Sequence, residues 1–128
     1  MKIRKTDPPR CFEVGFTEHR SILKDCAHVE LGPDEQVTFT APPKGEYDVA
    51  RKNWGFYATP SLNGRLVRFG FRSVLARNRK GLYFVMLVEK GKESLFEEYI
   101  YLEKMDVICW LDDTGNLDKI ADIFGKVK

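Results

Sequence analysis

Eight cations, Arg51, Lys52, Arg65, Arg68, Arg72, Arg77, Arg79 and Lys80, fall between Val49 and Val88, a stretch without a single Asp or Glu. The residues before it hold seven basic and nine acidic side chains, and those after it six and ten, so a chain of net charge +2 is strongly segregated. Guanidinium groups offer paired N–H donors matched to phosphate and carboxylate. Segregation of this kind either builds a site for an anion or ties the middle of the chain to its own acidic tail.

Two places in the window could recognise a ligand. In a strand running from Arg65 to Ala76, Arg68 and Arg72 would share one face with Gly70 between them, roughly 13 Å apart at about 3.3 Å per residue. That spacing suits two anionic groups, or one each with Arg51 or Lys52 across the sheet. From Arg51 to Arg65, Trp54 and Tyr57 can stack on a sugar or base while Asn53, Thr59, Ser61 and Asn63 supply hydrogen bonds. The competing reading is a hairpin turning at Asn63-Gly64, with Trp54 and Phe56 in the core and Tyr57 the exposed ring. The ligand-contact set expected is Arg51, Trp54, Tyr57, Arg68 and Arg72.

Other chemistries find little support. Cys26 and His28 are same-face neighbours on a strand, yet no positive environment favours a thiolate, and Cys11, Cys26 and Cys109 read as reduced, buried thiols. His19 and His28 are the only histidines, too few for a histidine-rich metal site, so neither metal nor cofactor is expected. The Gly91-Lys92 pair lacks the upstream glycine and following hydroxyl of a phosphate loop, since Met86 and Glu93 stand there. Glu97, Glu98, Glu103, Asp112 and Asp113 read as a solvated helix face and a capped helix start. No catalytic set can be assembled.

These groups must be held by a β-rich scaffold. Turn signals at Pro8-Pro9, Gly32-Pro33-Asp34, Pro42-Pro43-Lys44-Gly45, Pro60, Asn63-Gly64 and Asn78–Gly81 separate candidate strands at Cys11–Phe16, Ile22–Leu31, Gln36–Ala41, Tyr47–Arg51, Trp54–Ala58, Arg65–Ala76 and Leu82–Lys90. Leu82–Val88 is apolar throughout, the pattern of a central strand covered on both sides. The period then changes. Ser94 with Glu97 forms a capping-box pattern opening a helix to Lys104, Asp106–Leu111 returns to strand, and a second helix from about Asn116 stops at Gly125.

The expected fold is α+β: a mainly antiparallel curved sheet, sandwich or small barrel with two C-terminal helices. Its 128 residues suit one domain, with residues 1–10 a flexible start. No signal-type or membrane-spanning apolar run is visible, and the cysteine usage suits the cytoplasm. The leading expectation is a non-catalytic binding or accessory domain for an anionic small molecule, phosphorylated or carboxylated, such as a nucleotide or nucleotide-sugar. Behind it stand single-stranded nucleic-acid binding, a protein-interaction or homo-oligomer surface meeting acidic groups, and an enzyme acting on an anionic sugar.

Overall fold

A computed structural model describes residues 1–15 and 20–125. The chain forms three antiparallel sheets and three helices, an α+β arrangement in which, among the described residues, no sheet closes into a barrel. The predicted end of the first strand at Phe16, and His19, lie outside the described residues.

The first sheet is a hairpin of β1 (Lys2–Val14) and β2 (Ser21–Glu30). Its first strand starts well inside the stretch expected to be flexible. Ile3 faces Val29 and Phe12 faces Leu23, with the register shifting between Lys5 and Arg10. Both Cys11 and Cys26 lie exposed on this hairpin and Cys109 is half-buried, so the expectation of buried thiols fails. A two-stranded sheet has too little second-layer surface to cover them.

The second sheet joins β3 (Gln36–Ala41), β4 (Gly45–Lys52) and β5 (Gly55–Tyr57) in sequence order. The Pro42–Lys44 turn sets the register, so that Thr38 faces Asp48 and Gln36 faces Ala50, which in turn faces Tyr57. Directly opposed residues share a sheet face, and so do residues two apart. Gln36, Thr38, Asp48, Ala50 and Tyr57 therefore line up on one side.

The predicted strand Arg65–Ala76 is two elements. Arg65–Arg68 is a short helix, α1, and only Phe71–Arg77 is strand, β6. The Ser61 hydroxyl accepts the Arg65 N–H at 2.8 Å and opens the turn. Gly70, at φ 97°, closes it in a conformation open to glycine and costly for other residues. The main chain here ties the sheets together: Glu46 N donates to Phe69 O at 3.1 Å and Lys90 N to Gly70 O at 2.9 Å. A β-carbon on Gly45 would meet the Phe71 ring at 3.0 Å, so the close crossing of β4 over β6 requires glycine there.

In the third sheet β6 lies between β7 (Tyr83–Glu89) and β8 (Asp106–Trp110). The strand read as central, Leu82–Val88, is thus an edge. Val74 and Ala76 of β6 are fully buried instead and, with Leu66, Val88, Ile100 and Leu111, make up the buried apolar side chains. Asn78 shapes the β6–β7 turn by accepting the N–H groups of Lys80 and Leu82, each at 3.0 Å.

Helix α2 spans Glu93–Leu102 and α3 spans Thr114–Phe124. The Ser94–Glu97 capping box is not formed: α2 begins one residue earlier, and the Glu93 carboxylate takes up the Gly91 N–H at 2.6 Å. The acidic start predicted for the last helix is present, with Asp113 accepting from Asn116 N at 3.2 Å.

Candidate functional site

The row Gln36–Ala50–Tyr57 floors a hollow of about 430 Å³, walled by Asp48, Thr59, Pro60, Ser61 and Arg65. Helix α1 presents Arg65 to the sheet. Its Nε and Nη2 donate to Asp48 Oδ2 at 3.1 and 2.6 Å, while the Thr38 hydroxyl donates to Asp48 Oδ1 at 2.8 Å. The Asp48 carboxyl is nearly buried and the guanidinium about half exposed. Arg65 also lies over the Phe69 ring, 4.9 Å from its centroid.

Tyr57 lines this hollow, and Trp54 packs against Tyr57. Their rings are edge to face at 5.5 Å and remain 65% and 58% exposed. Phe56 is also exposed, which overturns the alternative of Trp54 and Phe56 as core residues. Trp54 sits in the turn before β5, and β5, which carries Phe56 and Tyr57, is three residues long and among the described residues pairs only with β4.

The structure does not assemble the expected five residues into one cluster. Trp54 and Tyr57 stand together. Arg51, opposite Phe56 in the register, is on the other face of the sheet from Tyr57. Its guanidinium donates to the carbonyls of Lys52 and Gly55 and stacks 5.2 Å from the Phe56 ring centroid. Arg68 is exposed on α1, one turn beyond Arg65, and shares no strand face with Arg72.

Arg72 belongs to another region altogether. Its Nε donates to Asp112 Oδ2 at 2.8 Å and its Nη1 to Glu93 Oε2 at 3.3 Å, and the guanidinium lies 4.0 Å from the Trp110 ring centroid. The bond to Asp112, above all, raises the Arg72 pKa further. Glu93 is held below the ordinary value of 4.5, first by N–H donors of its own backbone and Gly91 and then by Arg72. Arg72 is thus tied to carboxylates just after β8 and at the start of α2.

Much of the basic window is answered in this way. Lys52 pairs with Asp34, Arg65 with Asp48 and Arg77 with Asp106. Each partner lies outside the window, so the segregated charges serve as ties between distant parts of the chain. The hydrogen bond from Lys52 to Asp34 raises the lysine pKa.

Arg65 was read as one cation of the basic window without a place in the expected contact set; the residues missed by the sequence reading are Gln36, Thr38 and Asp48. Their signal was period-two alternation: Gln36 and Thr38 on one strand, Asp48 and Ala50 on the next, with the Pro-Pro turn between fixing which faces which. The candidate site mixes carboxylate, guanidinium, amide, hydroxyl and aromatic groups, a set able to donate to and accept from a polar ring while stacking on it. Among the described residues no cluster of His, Cys, Asp and Glu could hold a metal ion, and no helix is long and apolar enough to cross a membrane.

Comparison with known proteins returns no match: no protein-family model fits the chain, and no curated protein or solved structure is significantly similar to it.

Proposed function

We propose that the chain is a small binding domain for an anionic, ring-bearing small molecule of nucleotide or nucleotide-sugar type, accepted in the hollow beside Tyr57. The observation that carries this reading is the Asp48–Arg65 pair standing in the same hollow as the exposed Tyr57 ring, with Trp54 at its edge. A stacked base or sugar would lie on Tyr57. Asp48 and Gln36 would accept and donate at ring hydroxyls or amides, and Arg65 would exchange part of its bond to Asp48 for a phosphate oxygen. Arg68, exposed one turn farther along α1, would supply a second cation from outside the lining. No catalytic step is part of this proposal.

The volume supports a ligand of this class, since small-molecule sites typically span about 300–1,000 Å³. The balanced charge of the Asp48–Arg65 pair favours a ligand recognised by its ring as much as by its phosphate. The dispersal of Arg51, Arg68 and Arg72 over separate surfaces gives less support to a continuous track for single-stranded nucleic acid, which needs successive cations and stacking rings along one groove.

Titration of the protein with uridine diphosphate, adenosine diphosphate and their sugar conjugates, read by intrinsic tryptophan fluorescence and by melting temperature, tests the proposal. Ligand at 100 times its dissociation constant should add about 2.7 kcal/mol of stability. Binding should be lost in Tyr57→Ala and weakened in Arg68→Ala. Absence of any shift across nucleotides, nucleotide-sugars and sugar phosphates at millimolar concentration would sink it.

A further inference from the structure

Strand β7 has apolar side chains on both faces and lies at the edge of its sheet, pairing among the described residues with β6 alone. Leu82, Tyr83 and Val85 are 53%, 57% and 58% exposed, and Phe84 is also exposed. In an antiparallel pair, alternate residues of the edge strand turn their N–H and C=O groups outward, a row ready to take another strand. Edges of monomeric sheets are usually blunted by proline, charge or a bulge. From Tyr83 to Val88 there is no proline and no charged residue, and the register with β6 runs unbroken.

The exposed surface of the whole chain points to what covers it. A folded monomer of this mass exposes roughly 7,000 Å², whereas this chain of 14.8 kDa exposes 9723 Å². The surplus, roughly 2,700 Å² per chain or about 5,400 Å² for two copies by that scaling, is of the size removed by large obligate homodimers, about 2,000–5,000 Å² or more over both partners. Part of it is continuous with β7, because Val14 at the end of β1 borders a hollow of about 190 Å³ shared with Phe84 and Met86.

We propose that β7 pairs antiparallel with β7 of a second copy of this chain, joining two three-stranded sheets into one of six strands. A two-fold axis perpendicular to the sheet sets each residue opposite one of the same face, and at Phe84 it places Tyr83 against Val85 and Leu82 against Met86. From Leu82 to Met86 every pair is then apolar. The same axis brings the turn bearing Arg79 to the end of the other copy's strand, near its Glu89, a contact of opposite charge at each rim. This explains why Leu82–Val88 has the composition of a central strand while lying at an edge in a single chain.

Sedimentation equilibrium of the full chain over a range of concentrations tests this, with amide hydrogen exchange at Tyr83–Leu87 as the local readout. A mass of twice 14.8 kDa is expected, with the outward β7 amides protected at high concentration and released on dilution. Val85→Lys should return the mass to that of one chain with an unchanged far-ultraviolet circular dichroism spectrum. If that variant is unfolded, Leu82→Lys at the exposed start of the edge gives the same reading. A wild-type monomer at every concentration overturns the proposal and leaves the edge to a strand of another protein. A dimer whose mass survives both lysine variants, or whose β7 amides exchange alike at all concentrations, also overturns it, since the contact would then lie elsewhere.

Discussion

Arg72 lies over Trp110, 4.0 Å from its ring centroid, while its Nε donates to Asp112 at 2.8 Å. One side chain thereby joins β6 to the end of β8 and, through Glu93, to the start of α2. Removing it leaves a nearly buried Asp112 carboxylate without this guanidinium. Arg72→Ala should therefore lower stability by about 2 kcal/mol, between the values typical of exposed and buried pairs. Arg72→Lys should recover only part, since an ammonium cannot hold two carboxylates and stack as a planar group does. Urea denaturation followed by Trp110 fluorescence measures both, and ligand affinity at Tyr57 should not change.

The acid limb of stability follows from carboxylates held below their ordinary values. Glu93 is lowered by backbone N–H groups and Arg72, Glu35 by the Gly32 N–H and the chain's amino terminus, and Asp25 by Arg10. A group whose pKa is depressed by folding contributes stability above its unfolded value, and the contribution is lost as pH falls through the folded value. The melting temperature should thus hold near neutral pH and decline below about pH 4.5, the ordinary glutamate value. Glu93→Gln should flatten part of that decline. A decline of equal steepness in the variant would place the linkage in other groups.

Trp54 and Tyr57 form an edge-to-face pair in the open, so their contact should matter more to recognition than to folding. An aromatic pair contributes about 0.5–1.5 kcal/mol beyond its buried area, and exposure places this one at the low end. Trp54→Ala should cost under about 1 kcal/mol in chemical denaturation. It should nevertheless weaken nucleotide binding several-fold and remove most of the fluorescence response, leaving Trp110 as the only indole.

What could be read in the sequence follows from how local each determinant is. Gln36–Ala41 was legible to the residue, because a Gly-Pro-Asp turn precedes it and a Pro-Pro turn ends it. Arg65–Phe69 was not: Arg65, Val67 and Phe69 alternate as in a strand, and four residues of helix give too little periodicity to outweigh that pattern. The turn is decided instead by the Ser61 hydroxyl and by Gly70 at positive φ. The site was half legible for a similar reason. Trp54 and Tyr57 are neighbours in sequence, whereas Asp48 enters the hollow only through the register of β3, β4 and β5 and the placement of α1. A search for unpaired cations passes over a carboxylate whose role is to orient one.

Asn78 offers a test of the turn that carries β6 into β7. Its side-chain oxygen accepts from two backbone N–H groups, those of Lys80 and Leu82, while the residue itself is only 5% exposed. Asn78→Ala takes the acceptor from both donors; because Arg79 to Leu82 are exposed, water can meet the freed N–H groups, and the loss lies at the low end of the about 1–3 kcal/mol of an unsatisfied buried donor. Asn78→Asp keeps the accepting oxygen and removes the side-chain amide nitrogen, which has no hydrogen-bond partner among the described residues. It also sets a charge beside the buried Glu103, which borders the same hollows. Asn78→Ala should accordingly lose about 1 kcal/mol at every pH. Asn78→Asp should come closer to wild type in acid, where the new carboxyl is protonated, and lose stability as pH rises to neutrality. Melting curves from pH 4 to pH 8 separate the two, and a pH-independent Asn78→Asp would show that the carboxyls do not sense each other.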